Sequence, residues 1–232
     1  MKGYINFGAI YSSDFSFYIL DPSGFNVPEE DYSTFEIPGR SGDLHISNGR
    51  KKNVTVTYHC LMECDDAMKE FIELRSKLGT VSGYHKLTES YLPDYFWLAK
   101  FKSIKANTIT PTKVVFELSF TCIPKLFLES GETEHAFTAA GIIENPTANG
   151  AKPIIRIYGS GTFTVGTIIG TIKTAGTEYI DIDTDTHQAY EGPTFRNSNV
   201  TITKWGELIP GVNDVTIGTG INKLTVIPRW YA

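Results

Sequence analysis

Cysteine is scarce in this chain. Its 232 residues hold three, Cys60, Cys64 and Cys122. An odd count without regular spacing argues against a disulfide framework and suits folding under reducing conditions. No stretch approaches the roughly 18 consecutive apolar residues that a membrane helix needs, so no membrane insertion is expected. Residues 1–17 lack a basic segment followed by an apolar one, and no secretory signal is expected there. A basic surplus is missing as well. Lys and Arg number 21 against 26 Asp and Glu, for a net charge of −5, and both halves share the deficit. Tight binding to a phosphate backbone is therefore not indicated. Nothing matches G-x-x-x-x-G-K-[ST], or G-x-G-x-x-G after a strand, so a nucleotide cofactor has no cradle.

What the chain does have is alternation. With 41% apolar and 20% charged residues it can bury a sizeable core. Residues 53–60, NVTVTYHC, place Val54, Val56, Tyr58 and Cys60 on one face, with Thr55, Thr57 and His59 on the other. Residues 113–123, KVVFELSFTCI, repeat the pattern through Val114, Phe116, Leu118, Phe120 and Cys122. Period-two patterning of this kind predicts half-buried antiparallel strands. One helix interrupts them. In CDDAMKEFIELRSKLG, Asp65 or Asp66 can cap the first turn, and Ala67, Phe71, Leu74 and Leu78 form one stripe. Phe71 and Leu74 should hold this helix against a sheet, and Gly79 is placed for a left-handed stop.

Near residues 130–132 large apolar side chains thin out, which predicts domains over 1–131 and 132–232. Strand candidates in the second are 153–158, 161–165, 167–173, 178–183, 199–204, 213–217 and 223–228, separated by glycine-rich turns. Many short strands of this kind read as a β-sandwich. The fold class is therefore mainly β.

Candidate chemistry is sparse. Ser41 sits in EIPGRSGDL, but a nucleophile elbow needs G-x-S-x-G between strand and helix, and here the order is Gly39, Arg40, Ser41, Gly42. The structural reading is a corner. Pro38 fixes its own φ, and Gly39 and Gly42 permit positive φ. Asp181, Asp183 and Asp185 alternate along YIDIDTDTHQAY without the glycine and glutamate that an EF-hand loop requires. On a strand they would share the solvent face, with Ile180 and Ile182 inside. His59, Cys60 and Cys64 lack a second ligand pair for zinc, and buried, inert thiols are the expectation. No catalytic, cofactor or metal residue is assigned. Aromatics in SYLPDYFWLAKF suit core or interface, and exposed Trp205 or Trp230 would be the anchors of a rival, glycan-binding role.

The order of these segments resembles the distal tail (Dit) proteins of long-tailed bacteriophages that infect Gram-positive bacteria. The segment near the start matches through Ile37, Pro38, Gly39, Arg40, Gly42 and Leu44, then Asn48, Gly49 and Arg50. NPTANGAKPIIRIYGSG matches through Pro153, Ile155, Ile157 and Gly159, and LIPGVNDVTIGTGINKLTVIPRWYA resembles the family's closing strands. The resemblance implies an N-terminal β-sandwich with one helix and a protruding hairpin, and a C-terminal galectin-like β-sandwich. It implies six copies in a ring that continues the tail tube. The ring would dock a tube protein on one side and a tail-associated hub or lysin protein on the other, with receptor-binding or baseplate proteins at its periphery. DNA would only pass through. The location implied is the virion tail tip, assembled in the host bacterial cytoplasm, with no enzymatic activity. Within that frame Arg40 would either brace a neighbouring loop or grip a carboxylate of the next protomer. The chain is too short for the inserted carbohydrate-binding modules of some members.

Overall fold

The computed structural model describes residues 2–22, 27–176 and 178–232. They form two compact units, Met1–Leu126 and Phe127–Ala232. The first contains strands β1 (Ile5–Phe7), β2 (Ile10–Tyr11), β3 (Phe17–Ile19), β4 (Glu30–Phe35), β5 (Leu44–Lys51) and β6 (Val54–Glu63). Helix α1 (Ala67–Thr80) follows, then β7 (His85–Glu89), β8 (Tyr95–Ile109) and β9 (Lys113–Leu128). Seven strands make one sheet in the order β2-β1-β7-β8-β9-β6-β3, and β4-β5 stand as a separate pair.

The expected alternation builds the centre of the sheet. Strands β6 and β9 run antiparallel from Val54 opposite Cys122 to Glu63 opposite Lys113. Val54, Val56, Tyr58, Cys60 and Met62 are buried, as are their partners Cys122, Phe120, Leu118, Phe116 and Val114. Their other face is polar, with the hydroxyls of Thr57 and Ser119 bonded at 2.9 Å. The Asp66 carboxylate caps α1 by accepting the Lys69 N–H at 3.4 Å. Ala67, Phe71, Leu74 and Leu78 are the buried residues of the helix, and the Phe71 ring meets Phe116 edge-on at 5.2 Å. The stop differs from expectation. Gly79 stays helical, and the Thr80 hydroxyl caps the Lys77 carbonyl at 2.8 Å. That side-chain cap carries the helix one residue past the glycine. Val81 is then extended, and the left-handed residue is Gly83 at φ 84°.

The second unit is a sandwich of two sheets. Its strands are β10 (His135–Phe137), β11 (Gly141–Asn145), β12 (Ile154–Gly159), β13 (Gly161–Val165), β14 (Ile168–Ile172) and β15 (Ile180–Asp183). They continue as β16 (Gln188–Glu191), β17 (Thr194–Phe195), β18 (Val200–Lys204), β19 (Gly211–Ile217) and β20 (Ile221–Ile227). One sheet has the order β10-β20-β12-β15-β16-β17, the other β11-β19-β13-β14-β18. Ile155, Ile157, Phe163, Val165, Ile180 and Leu224 lie in the core between them.

Asp181 and Asp183 depart from the expected solvent face, while Asp185 is exposed in the turn after β15. Strand β15 is interior to its sheet, and Arg156 of β12 stands directly opposite Asp181. The guanidinium forks onto that carboxylate at 2.7 and 2.9 Å, leaving Asp181 only 5% exposed. The same guanidinium lies over the Tyr179 ring at 4.2 Å. Arg229 donates to Asp183 at 2.7 Å and to the Lys152 carbonyl at 2.6 Å, and Lys152 pairs with Asp185 at 3.2 Å. The cations come from positions distant in sequence, so only pairing in the folded sheet shows that these carboxylates are neutralised.

Removing one partner of the forked pair strands a buried charge. Asp181→Asn is expected to destabilise the second unit by about 3 kcal/mol, while Arg156→Met with Asp181→Leu recovers most of the loss. Urea unfolding with hydrogen exchange resolved to residues 127–232 checks this. Asp183 supplies a pH dependence. Burial pushes its carboxyl up, but the Arg229 hydrogen bond and charge, aided by the N–H groups of Asp185 and Thr186, outweigh burial and hold it below the ordinary value. A lowered folded value stabilises above the unfolded value of about 3.9 and is lost as pH falls through the folded one. The second unit should therefore weaken on acidification below about pH 4, and Asp183→Asn should flatten that acid limb in an unfolding series against pH.

Candidate functional site

Strands β4 and β5 form a hairpin that belongs to no larger sheet. Phe35 faces Leu44, Thr34 faces His45, Ser33 faces Ile46 and Tyr32 faces Ser47. Opposite residues share a face, so Phe35, Leu44 and Ile46 lie on one side, with Tyr32 and His45 on the other. The Tyr32 and His45 rings meet edge-on at 5.1 Å, and the Thr34 hydroxyl lies 3.2 Å from His45 Nδ1. At the base Arg50 pairs with Asp31 at 2.7 Å and Lys52 with Glu29 at 3.7 Å. The Arg50 hydrogen bond, despite some desolvation, holds the Asp31 carboxyl below its usual value, and the Asn48 side chain acts in the same sense.

The tip answers the question raised by EIPGRSGDL. The Arg40 N–H donates to the Ile37 carbonyl at 3.1 Å, with Pro38 and Gly39 between them and Gly39 at φ 83°. Proline at the second position and a positive φ at the third define a type II turn. Gly42 adds a second left-handed step at φ 84°. A Cβ at either glycine would meet nothing within 4 Å, so backbone conformation rather than crowding selects glycine. Pro38, Gly39, Arg40 and Gly42 are all exposed. Among the described residues the Arg40 guanidinium makes no ion pair or hydrogen bond and so braces none of their loops. Ser41 is exposed at the same tip, and among the described residues no histidine is hydrogen-bonded to it.

Apolar surface lies open on both faces of the hairpin. Tyr32 and Phe35 are 51% exposed, Ile46 50% and Ile37 40%. An isolated two-stranded hairpin is marginal in water, and clustered apolar exposure marks an interaction surface. Sequence reasoning marked the corner but missed this apolar surface. The available signal was charged and hydroxyl residues flanking Tyr32, Phe35 and Ile46, a pattern with no wholly apolar face to bury.

Other candidates are placed as follows. His59 and Cys60 point to opposite faces of β6, and among the described residues no cluster of three or more metal-ligating side chains exists. Burial pushes the Cys60 thiol well up and that of Cys122 up to about 12, which keeps both unreactive, while Cys64 is only half-buried. Phe96 and Trp97 are buried, with the Lys86 ammonium over the Phe96 ring at 4.2 Å. Trp230 is 3% exposed and cannot stack on a ligand, and Trp205 has one ring face covered by His187 at 4.4 Å.

No protein-family model and no curated protein sequence matches the chain. Solved structures do match it in fold. One is the crystal structure of SPP1 Dit (gp 19.1), described as a paradigm of the hub adsorption apparatus in phages that infect Gram-positive bacteria. The likeness has a TM-score of 0.65 at 13% sequence identity and covers 97% of this chain and 98% of that one, so the whole architecture described above is similar to that of the SPP1 Dit protein.

Proposed function

We propose that this chain is a structural subunit of a phage tail tip, six copies of which close into a ring through the β4–β5 hairpin. The observation that carries the reading is the hairpin itself, with apolar side chains exposed on both faces and, at its tip, an arginine that is unpaired among the described residues. The likeness in fold to a phage hub protein along 97% of the chain supports it. Residues 1–131 form the ring, and residues 132–232, a galectin-like sandwich, hang outside it. A tail tube protein docks on one side and a tail-associated hub or lysin protein on the other. Receptor-binding or baseplate proteins attach at the periphery, and DNA passes as cargo. The particle assembles in the host bacterial cytoplasm and works at the virion tail tip. The role is architectural rather than enzymatic. A glycan-binding role through exposed aromatics could use Trp205 but not Trp230, which is buried.

A closing ring needs head-to-tail contacts that bury about 2,000 Å² or more at each interface. The hairpin of one copy would lay its apolar faces on the next, and Arg40 would meet a carboxylate there. The reading predicts a particle six times the 25.8 kDa of the chain by light scattering, alone or with the adjoining tube and hub subunits. Phe35→Ala with Ile46→Ala should release monomers whose unfolding is unchanged. Arg40→Ala should weaken assembly by about 2 kcal/mol or more. Monomers that persist when both neighbouring subunits are supplied would refute the ring.

A further inference from the structure

The sequence contains two Asn-Gly pairs, Asn48-Gly49 and Asn149-Gly150, and the structure holds them differently. The first lies in a break of the hairpin ladder. Tyr32 pairs with Ser47 and Glu30 with Lys51, and the register shifts between these two pairs. Gly49 sits there at φ 71° with open space where a side chain would stand, and its N–H donates to the Ser47 hydroxyl at 3.2 Å. The Asn48 side-chain carbonyl accepts the Ser33 hydroxyl at 3.3 Å. Both residues of the pair are exposed.

We infer that Asn48 is a self-modification site, at which the Gly49 backbone nitrogen attacks the Asn48 side-chain carbon and converts the residue to aspartyl and isoaspartyl forms. The Gly49 nitrogen gives up its proton and bonds to Asn48 Cγ. The bond from Cγ to Nδ2 breaks, and ammonia leaves with a proton, closing a five-membered succinimide. Water then opens that ring at either carbonyl, giving the two acids. The Ser33 hydroxyl is placed to stabilise the oxyanion that develops on Asn48 Oδ1, and the Ser47 oxygen to receive the Gly49 proton. Glycine presents no side chain against the attack. The product carboxylate would stand close to Asp31, which is already ionised against Arg50 at 2.7 Å, so conversion places like charges at the hairpin base.

The second pair is restrained. The Asn149 Nδ2 donates to the Tyr231 carbonyl at 3.4 Å, and the Asn149 carbonyl accepts from Asn145 Nδ2 at 2.9 Å and Thr147 Oγ1 at 3.1 Å. Glu207 packs on Gly150, within the space a side chain would fill. The two sites therefore serve as test and internal control in one molecule.

The experiment ages the purified free chain in mildly alkaline buffer and maps peptides by mass spectrometry, with isoaspartyl methyltransferase as the probe of the isomerised product. It uses no assembled ring and so stands whether or not the ring reading does. The peptide that spans Asn48 is expected to gain the mass of an amide-to-acid exchange several-fold faster than the peptide that spans Asn149. Ser33→Ala should slow the first several-fold and leave the second unchanged, while Ser33→Thr, which keeps the hydroxyl, should retain the rate. An Asn48 rate no faster than that of Asn149, or one unchanged or raised when Ser33 and Ser47 are both replaced by alanine, would overturn the inference.

Discussion

The β4–β5 hairpin pairs only with itself, and the candidate site follows from that. Strand β6 pairs on one side with β9 along its whole length, burying alternate residues from Val54 to Met62, and on the other with β3 over Cys60, Leu61 and Met62. Only Lys52 and Asn53 separate β5 from β6, yet β5 pairs with β4 and with no strand of the large sheet. Two strands cannot cover both of their faces, so Tyr32, Phe35, Ile37 and Ile46 remain in water. The exposure that suggests a binding role thus follows from the hairpin standing apart from the large sheet.

Much of this fold was legible because its strongest signals are local. Alternation in 53–60 and 113–123 depends on the strand itself, and the helix shows its cap and stripe within a few turns. The strands β10, β11, β16 and β17 were not picked out, and β10 and β17, with three and two residues, are too short to show a period. The aspartates were misread for a different reason. Alternation in IDID identifies which residues face away from the core, but whether that face is wet depends on neighbouring strands. Arg156 is 25 residues away from Asp181 in sequence, and Arg229 is 46 from Asp183. The corner at Pro38 and Gly39 was legible because turn chemistry is local. That the guanidinium of its arginine has no partner among the described residues is a tertiary fact.

The second unit uses charge to stiffen a sheet face rather than to bind. Arg156 is engaged by Asp181 and Tyr179, Arg196 by Glu191 at 2.8 Å, and Arg229 by Asp183. Guanidiniums held in planar forks leave few donors for an outside ligand. The hairpin of the first unit is the opposite case. Its base is clamped by Arg50 and Asp31, while at its tip the Arg40 guanidinium is unengaged among the described residues. Anchored base and open tip are the arrangement of an arm rather than of a pocket.

How much can such an arm do alone? Covering the four half-exposed side chains is worth about 1 kcal/mol each, or about 4 kcal/mol in all. Association of two bodies costs about 4–15 kcal/mol in lost freedom of motion. One hairpin laid on one neighbour therefore does not hold a pair together, and Arg40 adds only a few kcal/mol even with a carboxylate beneath it. Closure changes that balance. In a ring every copy both offers an arm and receives one, so the number of interfaces exceeds by one the number of association steps. On the ring reading, short open chains stay weak and the closed form is favoured abruptly, with tube and hub neighbours adding surface on either side. Covering the hairpin would also still the ladder break at Asn48, since a succinimide needs the backbone to move. Unassembled chains would then be the ones that age, and the acid formed beside Asp31 would weaken the clamp their arms depend on.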